Sequence, residues 1–438
     1  MSFALRFARA DGRIVRRIEL GGAAYGSSIA DLADPALDPP EAWWQALLRG
    51  ARPIPPALRS ELALVDLFAG AGGFALGAAM AAEALGLLPR FLAAVDLDRE
   101  ALAVHRRNLG TERTIAADLR DLVHLAIDRT GASARFAEPP ELVEPSLRRI
   151  RRPDLVIGGP PCEGHSNLNN HSRRDDPRNG LLLAAVASAV AIGARAFVFE
   201  NVRHVARDRR SVLDTALAVL EAAGYRTKTV VSNAAHYGAP QRRERMFLLG
   251  FASAADLDAF DAVLEALRRA PLSVAAAIAD LLDDEGVGPF DSAPKPTAEN
   301  RRRIEYLHAR DLYDLPNEQR PVCHRNGTTY TAVYGRLRPD EPAPTITTGF
   351  GTPGRGRFVH PLRPRLITPH EAARLQTFPD WFAFLDEAGR PVRRACLEKW
   401  IGDAVPPLLG FVVVLAALVA LRAPASAAER SPEAVLRA

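Results

Sequence analysis

The sequence predicts an α/β fold built on a doubly wound, mostly parallel sheet, with a smaller irregular domain beside it. Two observations support this prediction. Short apolar strands alternate with helical stretches from Leu62 to about residue 250, and the first strand is followed by a glycine turn and an Ala-rich helix. Such alternation is typical of βαβ units, whose strands lie parallel in one sheet. The chain has 438 residues, 48% of them hydrophobic, which is enough for a large core.

The expected elements follow one another in a regular order. The first strand covers 62–68, the glycine turn covers 69–73, and the helix that follows reaches about Gly86. The second strand, 91–95, ends at Asp96. Further strands are expected at 114–117, 155–157, 196–199 and 246–250, with helices at 181–192 and 212–223.

Beyond residue 251 the alternation stops, and Pro, Gly, Arg and Thr accumulate up to about residue 360. A helix is expected at 368–376, because Thr368 can cap it, Pro369 suits its first turn and Glu371 lies three residues after the cap. The apolar run 408–421 is shorter than the roughly 20 residues that span a bilayer, so we expect a buried helix or strand and no membrane anchor. The expected regions are an N-terminal extension of unknown role (1–60), the α/β domain (61–250), the irregular domain (251–360), C-terminal helices that complete the α/β domain (361–425) and a flexible tail (426–438).

The net charge of +4 is unevenly distributed. Residues 251–300 carry three basic and ten acidic side chains, whereas 301–365 carry twelve Arg and six acids. The second segment is a candidate surface for a polyanion, although the dominance of Arg over Lys is also expected from a GC-rich coding bias. Three widely spaced cysteines argue against a disulfide framework or a metal site, and five Arg interrupt the segment where a secretory signal would lie. These features favour a cytoplasmic protein without a bound metal.

The glycine turn indicates a nucleotide-like ligand. It belongs to the run Asp66-Leu-Phe-Ala-Gly-Ala-Gly-Gly-Phe74, at the carboxyl end of the first strand, where open α/β sheets bind ligands. Asp96, at the tip of the second strand, is placed to accept hydrogen bonds from ribose hydroxyls, and Asp118 is placed to accept from an adenine amino group. Each acid alone is also compatible with a helix cap. Together they predict a nucleoside cleft, and the lack of a Lys-Ser/Thr pair after the glycines argues against a nucleoside triphosphate.

A nucleophile is expected in the run Ile157-Gly-Gly-Pro-Pro-Cys-Glu-Gly-His-Ser166, directly after a short strand. Two prolines fix the backbone before Cys162, and two glycines let a ligand approach closely. Further along lie the motifs Glu200-Asn-Val202 and Gly238-Ala-Pro-Gln-Arg-Arg-Glu-Arg245, each of which is also compatible with a purely structural role. The order of these motifs, ending in Gly402-Asp-Ala-Val-Pro-Pro407, is what points to an enzyme.

That ordered set resembles the cytosine-C5 methyltransferases over about 62–410, including the run from Arg365 to Asp380. The resemblance implies a Rossmann-like methyltransferase fold, S-adenosyl-L-methionine as cofactor and a cytosine in double-stranded DNA as substrate. It implies that 251–360 is a target-recognition domain. It also implies a modification enzyme of a restriction or other host-defence system, with a restriction nuclease or defence proteins as partners and a monomer as the favoured state.

The resemblance assigns roles to individual residues. Cys162 would be the nucleophile, Glu200 the acid that contacts the cytosine, and Arg243 and Arg245 the residues that brace this site. The residues that would bind the cofactor are Asp66, Phe68, Ala69, Gly70, Gly72, Gly73, Phe74, Asp96, Asp118, Pro161, Leu181, Asp403, Ala404 and Val405.

These residue types suit the chemistry. Cytosine C5 is a poor nucleophile, and addition of a thiolate to C6 turns the ring into an enamine-like species that can attack a methyl group. Glu200 is expected to be protonated, or to share a proton with ring N3, so that charge developing on the base is neutralised. The base must be flipped out of the duplex, and the Arg-rich segment 301–365 is suited to holding backbone phosphates meanwhile.

Three positions depart from the family pattern. Glu163 and His165 replace the usual Gln and Phe after the cysteine, and Asp403 replaces an Asn. The extra acids could raise the pKa of Cys162 or strengthen the attraction for a sulfonium. His165 is expected to fill the place of an aromatic ring. Two alternatives stay open, namely the same chemistry on tRNA and a non-catalytic DNA-binding regulator that kept the fold.

Overall fold

A computed structural model describes residues 2–130, 133–161, 180–203, 205, 211–282, 286–325 and 333–422. The predicted nucleophile Cys162, the departures Glu163 and His165, and the tail 426–438 lie outside these residues.

The N-terminal segment forms an antiparallel three-stranded sheet followed by a helix. One face of the sheet packs on the main hydrophobic core, to which Ile14 and Trp43 contribute fully buried side chains. The guanidinium of Arg16 lies 4.5 Å from the ring centre of Trp43 and 5.3 Å from that of Phe411. The segment that the sequence set apart as an extension therefore shares its core with the rest of the protein. Its elements are β1 (Phe3–Ala10), β2 (Arg13–Leu20), β3 (Ala23–Ala30) and α1 (Pro39–Leu48).

The central region alternates strands with helices, as the sequence predicts. Its first half contains β4 (Ser60–Leu67), α2 (Gly73–Ala84), β5 (Leu87–Asp96), α3 (Arg99–Leu109) and β6 (Thr114–Ala116). Short elements follow, namely α4 (Leu119–Leu122), β7 (Val123–His124), β8 (Ile127–Thr130), β9 (Ser133–Phe136), β10 (Glu141–Leu142) and α5 (Pro145–Arg148). The second half contains β11 (Leu155–Gly158), α6 (Leu181–Ala191), β12 (Ala196–Asn201), α7 (Val212–Ala222), β13 (Arg226–Asn233), β14 (Gln241–Arg242) and β15 (Glu244–Phe251).

Seven strands form one sheet in the order β13-β15-β12-β11-β4-β5-β6. The five strands from β12 to β6 are parallel, which confirms the doubly wound, mostly parallel fold class. The expected strand at 246–250 forms as β15 but runs antiparallel to both of its neighbours. The short connection between β13 and β15 explains this direction, because it has no room for the crossover helix that a parallel strand requires.

Part of the segment 251–360 packs into the main core of the protein and does not form a separate domain. Its first helix packs against the C-terminal helix and against β1, inside the main core. The rest is irregular apart from the 12-residue helix Ala298–Ala309 and a few short elements, and its two-residue strand pairs in parallel with β14. At the start of the helix Pro369–Leu375, the expected capping box forms between Thr368 and Glu371. The elements of this part of the chain are α8 (Leu257–Ala266), α9 (Val274–Ile278), α10 (Ala298–Ala309), β16 (Ala343–Pro344), α11 (Pro369–Leu375), α12 (Arg394–Asp403) and α13 (Pro407–Arg422).

Helices cover both faces of the central sheet, with α2 and α13 on one face and α6 and α7 on the other. Gly77 on α2 and Gly410 on α13 let the two helices approach closely. A Cβ on Gly77 would lie 2.3 Å from the carbonyl oxygen of Pro407, and one on Gly410 would lie 3.0 Å from Cδ2 of Phe74. Among the described residues, Arg394–Arg422 is the one helical stretch long and apolar enough to cross a membrane. However, 89% of its most apolar window is buried inside the protein, as expected for a core helix.

Candidate active site

A crevice lies at the carboxyl edge of the central sheet, where the direction of winding reverses between β4 and β11. The chain proceeds from β4 outward to β5 and β6, then returns to the other side of β4 with β11 and β12. Because the loops after β4 and β11 leave in opposite directions, they open a cleft at this point, which is where doubly wound sheets bind ligands. The glycine turn and the Gly-Gly-Pro-Pro turn follow these two strands.

The glycine turn is held in an unusual backbone conformation. Phe68, which is not a glycine, has φ +62°, and Gly70 and Gly72 have φ +49° and +99°. Strained residues of this kind persist where the surrounding structure enforces them, often at ligand sites. Gly72 is the N-cap of α2 and has no side chain to cap the helix, so backbone N–H groups are left at the mouth of the crevice. This arrangement suits a polar ligand with acceptor groups.

Two acids predicted to bind the ligand have different surroundings. Asp96 accepts backbone hydrogen bonds from Gly70 on Oδ2 and from Asp98 on Oδ1, both at 2.8 Å, and burial raises its pKa. It therefore links the tip of β5 to the glycine turn. Asp118 caps α4 and pairs with the guanidinium of Arg120 at 2.6 Å, which holds the pKa of its carboxyl below the usual range. Its carboxylate is already engaged within its own turn.

Glu200 and Arg245 form a buried ion pair at the crevice. Nε of Arg245 lies 2.6 Å from Oε1 of Glu200, and the two side chains are 13% and 9% exposed. Glu200 lies opposite Phe247 in the sheet, so Arg245, two residues from Phe247, projects from the same face. Burial raises the pKa of Glu200, while the charges of Arg245 and Arg243 oppose that rise. The site thus holds a carboxyl group that keeps its proton more readily than an exposed one.

The turn that precedes Cys162 approaches this carboxyl group. A Cβ placed on Gly159 would lie 3.5 Å from Oε2 of Glu200 and 3.9 Å from Cγ2 of Val405. Gly158 cannot carry a side chain, because its Cβ would lie 2.4 Å from the carbonyl oxygen of Leu67. The backbone therefore reaches Pro161 from between β4, the Glu200 carboxyl and the C-terminal motif.

The C-terminal motif closes against the glycine turn. A Cβ on Gly73 would lie 2.8 Å from the carbonyl oxygen of Val405 and 3.1 Å from Cβ of Ala404. Arg243 holds this motif from behind, since its guanidinium donates to the carbonyl oxygens of Gly402 at 3.1 Å and Asp403 at 3.3 Å. It also donates to the carbonyl of Ile346 at 2.8 Å. Arg243 thus contacts the backbone of two other segments, and its bracing role in the site stays a prediction.

The Arg-rich segment has two kinds of arginine. Five are engaged in contacts within the protein; Arg336, for example, donates to the carbonyl of Pro361 at 2.7 Å and pairs with Asp311 at 2.9 Å. The other seven are exposed and form the positive surface of this region, and some of them also contact the protein; the guanidinium of Arg338, for example, lies 4.4 Å from the ring centre of Tyr313. The engaged arginines are Arg303, Arg320, Arg336, Arg357 and Arg365. The exposed arginines are Arg301, Arg302, Arg310, Arg325, Arg338, Arg355 and Arg363.

Comparison with known proteins places the chain in a family. Residues 62–417 match the family model for C-5 cytosine-specific DNA methylase. The chain belongs to this family. The methyltransferase is 37% identical over 366 residues to the Type II methyltransferase M1.BsuMI of Bacillus subtilis strain 168, a match that covers 83% of this chain and 82% of the relative. It is 31% identical over 398 residues to the Type II methyltransferase M.XorII of Xanthomonas oryzae pv. oryzae, covering 82% and 85%.

A solved structure shows the same fold. A crystal structure from E. coli, of a DNA modification methyltransferase encoded within a prophage, aligns with a TM-score of 0.56 at 24% identity. The alignment covers 83% of the methyltransferase and 100% of that chain.

The structure brings most of the predicted site residues of the methyltransferase to one crevice, but two side chains are directed elsewhere. The carboxylate of Asp66 is 1% exposed and faces His105, and the ring of Phe74 packs against Phe247 with centroids 6.1 Å apart. Ala69 and Leu181 are also buried. The residues at or next to the crevice are Phe68, Gly70, Gly72, Gly73, Asp96, Pro161, Glu200, Arg245, Asp403, Ala404 and Val405.

Sequence reasoning missed residues that hold the site together over long separations. Nε2 of Gln241 donates to Oε1 of Gln376 at 2.8 Å, and its Oε1 accepts from the backbone of Ile346 at 2.6 Å. Nε1 of Trp400 donates to Asp98 at 2.7 Å and so attaches α12 to the loop after β5. Gln241 lies inside the motif 238–245, so the sequence did mark it as a residue of interest. No local pattern links Trp400 with Asp98, which lie 302 positions apart.

Proposed function

We propose that the methyltransferase transfers a methyl group from S-adenosyl-L-methionine to C5 of a cytosine flipped out of double-stranded DNA, through a covalent bond between Cys162 and C6. The observation that supports this most strongly is the buried Glu200–Arg245 pair, beside the turn that leads into Cys162. A carboxyl group with a raised pKa next to a nucleophilic thiol fits proton transfer to the ring during thiolate addition.

The residues of the crevice fit S-adenosyl-L-methionine. Gly70 and Gly72 bring backbone close to a ligand, and Asp96 offers carboxylate oxygens at the tip of β5, where ribose hydroxyls are bound in folds of this kind. Gly73 leaves room for the C-terminal motif to close over the turn. When bound, the cofactor supplies an electrophilic methyl group on its sulfonium. Asp118 would have to exchange its contact with Arg120 to reach an adenine amino group.

The residues on the base side account for the remaining chemistry. The thiolate of Cys162 adds to C6, and the ring electrons that are displaced move toward N3, which takes a proton from Glu200. The enamine formed in this way is nucleophilic at C5, the position that accepts the methyl group. After methylation a solvent base removes the C5 proton, the C6–S bond breaks, and N3 returns its proton to Glu200. Arg245 orients Glu200 and is placed to hold the carbonyl oxygen of the base.

The names of two relatives, which are Type II methyltransferases, support a proposal about the biological setting. We propose that the protein is the modification enzyme of a restriction or other host-defence system, and that it acts in the cytoplasm on the DNA that a partner nuclease would cut. Residues 251–360 would recognise the target, and their exposed arginines would contact phosphates.

A transfer assay tests the chemistry. Purified protein is incubated with cofactor labelled in its methyl group and with either duplex DNA or tRNA. Label in DNA is expected, and label in tRNA alone would contradict the proposal. Duplex DNA containing 5-fluorocytosine should form a denaturation-resistant complex, because fluorine at C5 cannot be removed as a proton, and Cys162→Ala should form none. Bisulfite sequencing of DNA from expressing cells would then give the target sequence, at which that DNA should resist the matching nuclease.

A further inference from the structure

A chain of three buried polar side chains lies beneath the glycine turn. Nε2 of His105 lies 3.1 Å from Oδ2 of Asp66, and Nδ1 of His105 lies 2.9 Å from Oγ1 of Thr111. The three residues are 0%, 1% and 2% exposed, respectively. Polar groups buried this deeply are costly unless they are hydrogen-bonded, so the three side chains stabilise one another as a unit.

The hydrogen bonds fix the orientation of the imidazole ring. With Asp66 ionised, Nε2–H of His105 donates to its carboxylate and the hydroxyl of Thr111 donates to Nδ1. Burial raises the pKa of Asp66, and when Asp66 is protonated its own hydroxyl donates to Nε2 while Nδ1–H donates to Thr111, so each bond has a donor and an acceptor in both states. The ring also meets Phe91 edge to face, with centroids 5.7 Å apart. The imidazole is therefore hydrogen-bonded at both nitrogens and packed against Phe91.

The same ring forms the floor of the glycine turn. A Cβ on Gly72 would lie 3.1 Å from Cδ2 of His105 and 3.0 Å from Cδ1 of Leu109. Gly72 has φ +99° and sits at the start of α2, and nearby Gly70 is held from the other side by Asp96. A shift of the imidazole would therefore change the packing beneath Gly72 and with it the conformation of the turn.

We propose that Asp66, His105 and Thr111 are positioning residues that set the conformation of the glycine turn and, through it, the affinity for the cofactor. The inference rests on the proposed function, in which this turn binds S-adenosyl-L-methionine. Asp66 then acts through His105 and has no direct contact with the ligand, in agreement with its buried carboxylate. The three side chains form one unit although they belong to different elements or loops, namely β4, α3 and the segment before β6.

The test compares cofactor affinity with fold stability in the full-length protein. Thr111→Val removes one buried hydrogen bond with little change of shape, and its dissociation constant for S-adenosyl-L-methionine, measured calorimetrically, should rise about fivefold. The KM for the cofactor should rise similarly while kcat changes less than about twofold. Thr111→Ser keeps the hydroxyl and should restore wild-type affinity. His105→Phe, which leaves Asp66 without this partner, should weaken binding further.

His124 provides a matched control, because it is exposed on β7; His124→Phe should leave cofactor affinity unchanged. If Thr111→Val binds the cofactor as tightly as the wild type while its melting temperature falls, the residues are merely structural and the inference is wrong. If the wild type itself fails to bind S-adenosyl-L-methionine, the proposed function fails instead. Should His105→Phe not fold, the two Thr111 variants still decide the question.

Discussion

Arg245 and Glu200 are joined by a 2.6 Å contact between Nε and Oε1, on side chains that are almost buried. An exposed ion pair of this kind would leave the carboxyl fully ionised near neutral pH. Here the burial of Glu200 raises the pKa of its carboxyl group, and this effect exceeds the lowering caused by the charge of Arg245. The pair can therefore orient a carboxyl group that keeps a proton more readily than it would if Arg245 were its partner at the surface, which favours protonation of a pyrimidine nitrogen.

Replacing Glu200 by Gln should lower methyl transfer by about 10²-fold or more, because the amide keeps the shape but has no acidic proton to give. The measurement is the single-turnover rate with labelled cofactor and duplex DNA. Glu244→Gln is the matched control, since Glu244 lies in the adjoining part of β15 and its side chain is 45% exposed. The control should retain the wild-type rate. Equal rates for Glu200→Gln and the wild type would contradict a proton-donating role.

Removing the charge at position 245 should shift the pH dependence upward. The positive charge of Arg245 lowers the pKa of Glu200. Arg245→Met removes this charge, so the pKa of Glu200 should rise further. Activity that needs the protonated acid is present below that pKa and is lost as pH rises through it. The alkaline limb of the rate profile should therefore move to higher pH, while the maximum rate falls because the acid is less well oriented. A shift to lower pH would contradict the assignment.

Asp403→Asn should shift the same limb in the opposite direction. The negative charge of Asp403 contributes to the raised pKa of Glu200, so its removal should lower that pKa. The alkaline limb then moves to lower pH. The variant also loses the 2.8 Å contact of Asp403 with Lys399, but both side chains are more than half exposed, so its unfolding free energy should change by less than about 1 kcal/mol. An unchanged profile would mean that the charge at 403 does not reach Glu200.

The order of motifs was sufficient to predict the fold class and the family, because both depend on features local in sequence. Alternating strands and helices fix a parallel sheet, and the glycine turn fixes where its crevice opens. The strand β13 was missed because its residues Arg226 to Thr229 are polar and its side chains, at the edge of the sheet, are mostly half-buried or exposed. The direction of β15 depends on the length of the connection before it, which strand patterns do not reveal.

The predicted site was less complete than the predicted fold. Asp66 was assigned to the ligand because it begins the glycine motif, yet its side chain alternates to the buried side of β4 and meets His105. Which way a strand residue points depends on the register of the whole sheet. The link between Trp400 and Asp98 depends on packing of α12 across the crevice, and such contacts between distant segments leave no periodic trace in the sequence.

Two glycines should tolerate no side chain, for reasons that the contacts specify. A Cβ on Gly402 would lie 2.4 Å from the backbone nitrogen of Thr348, and one on Gly73 would lie 2.8 Å from the carbonyl oxygen of Val405. Gly402→Ala and Gly73→Ala should each lower the unfolding free energy by about 1–3 kcal/mol, as overpacking does. Gly26→Ala is the control, because nothing lies within 4 Å of its Cβ position. Denaturant unfolding measures the difference, and a neutral Gly402→Ala would contradict the closed position of the C-terminal motif.

If residues 251–360 form the target-recognition region, as proposed, their exposed arginines should contribute to the salt dependence of DNA binding. If Arg302 contacts a phosphate, Arg302→Ala should reduce the slope of log affinity against log salt concentration by about 0.9, because one fewer counterion is released. The loss should be similar for duplexes of any sequence, since phosphates carry no base information. Arg90→Ala is the matched control, because Arg90 is exposed in the first half of β5, away from the carboxyl edge, and pairs with Glu61 and Glu112. Equal slopes for Arg302→Ala, Arg90→Ala and the wild type would remove Arg302 from the DNA-binding surface.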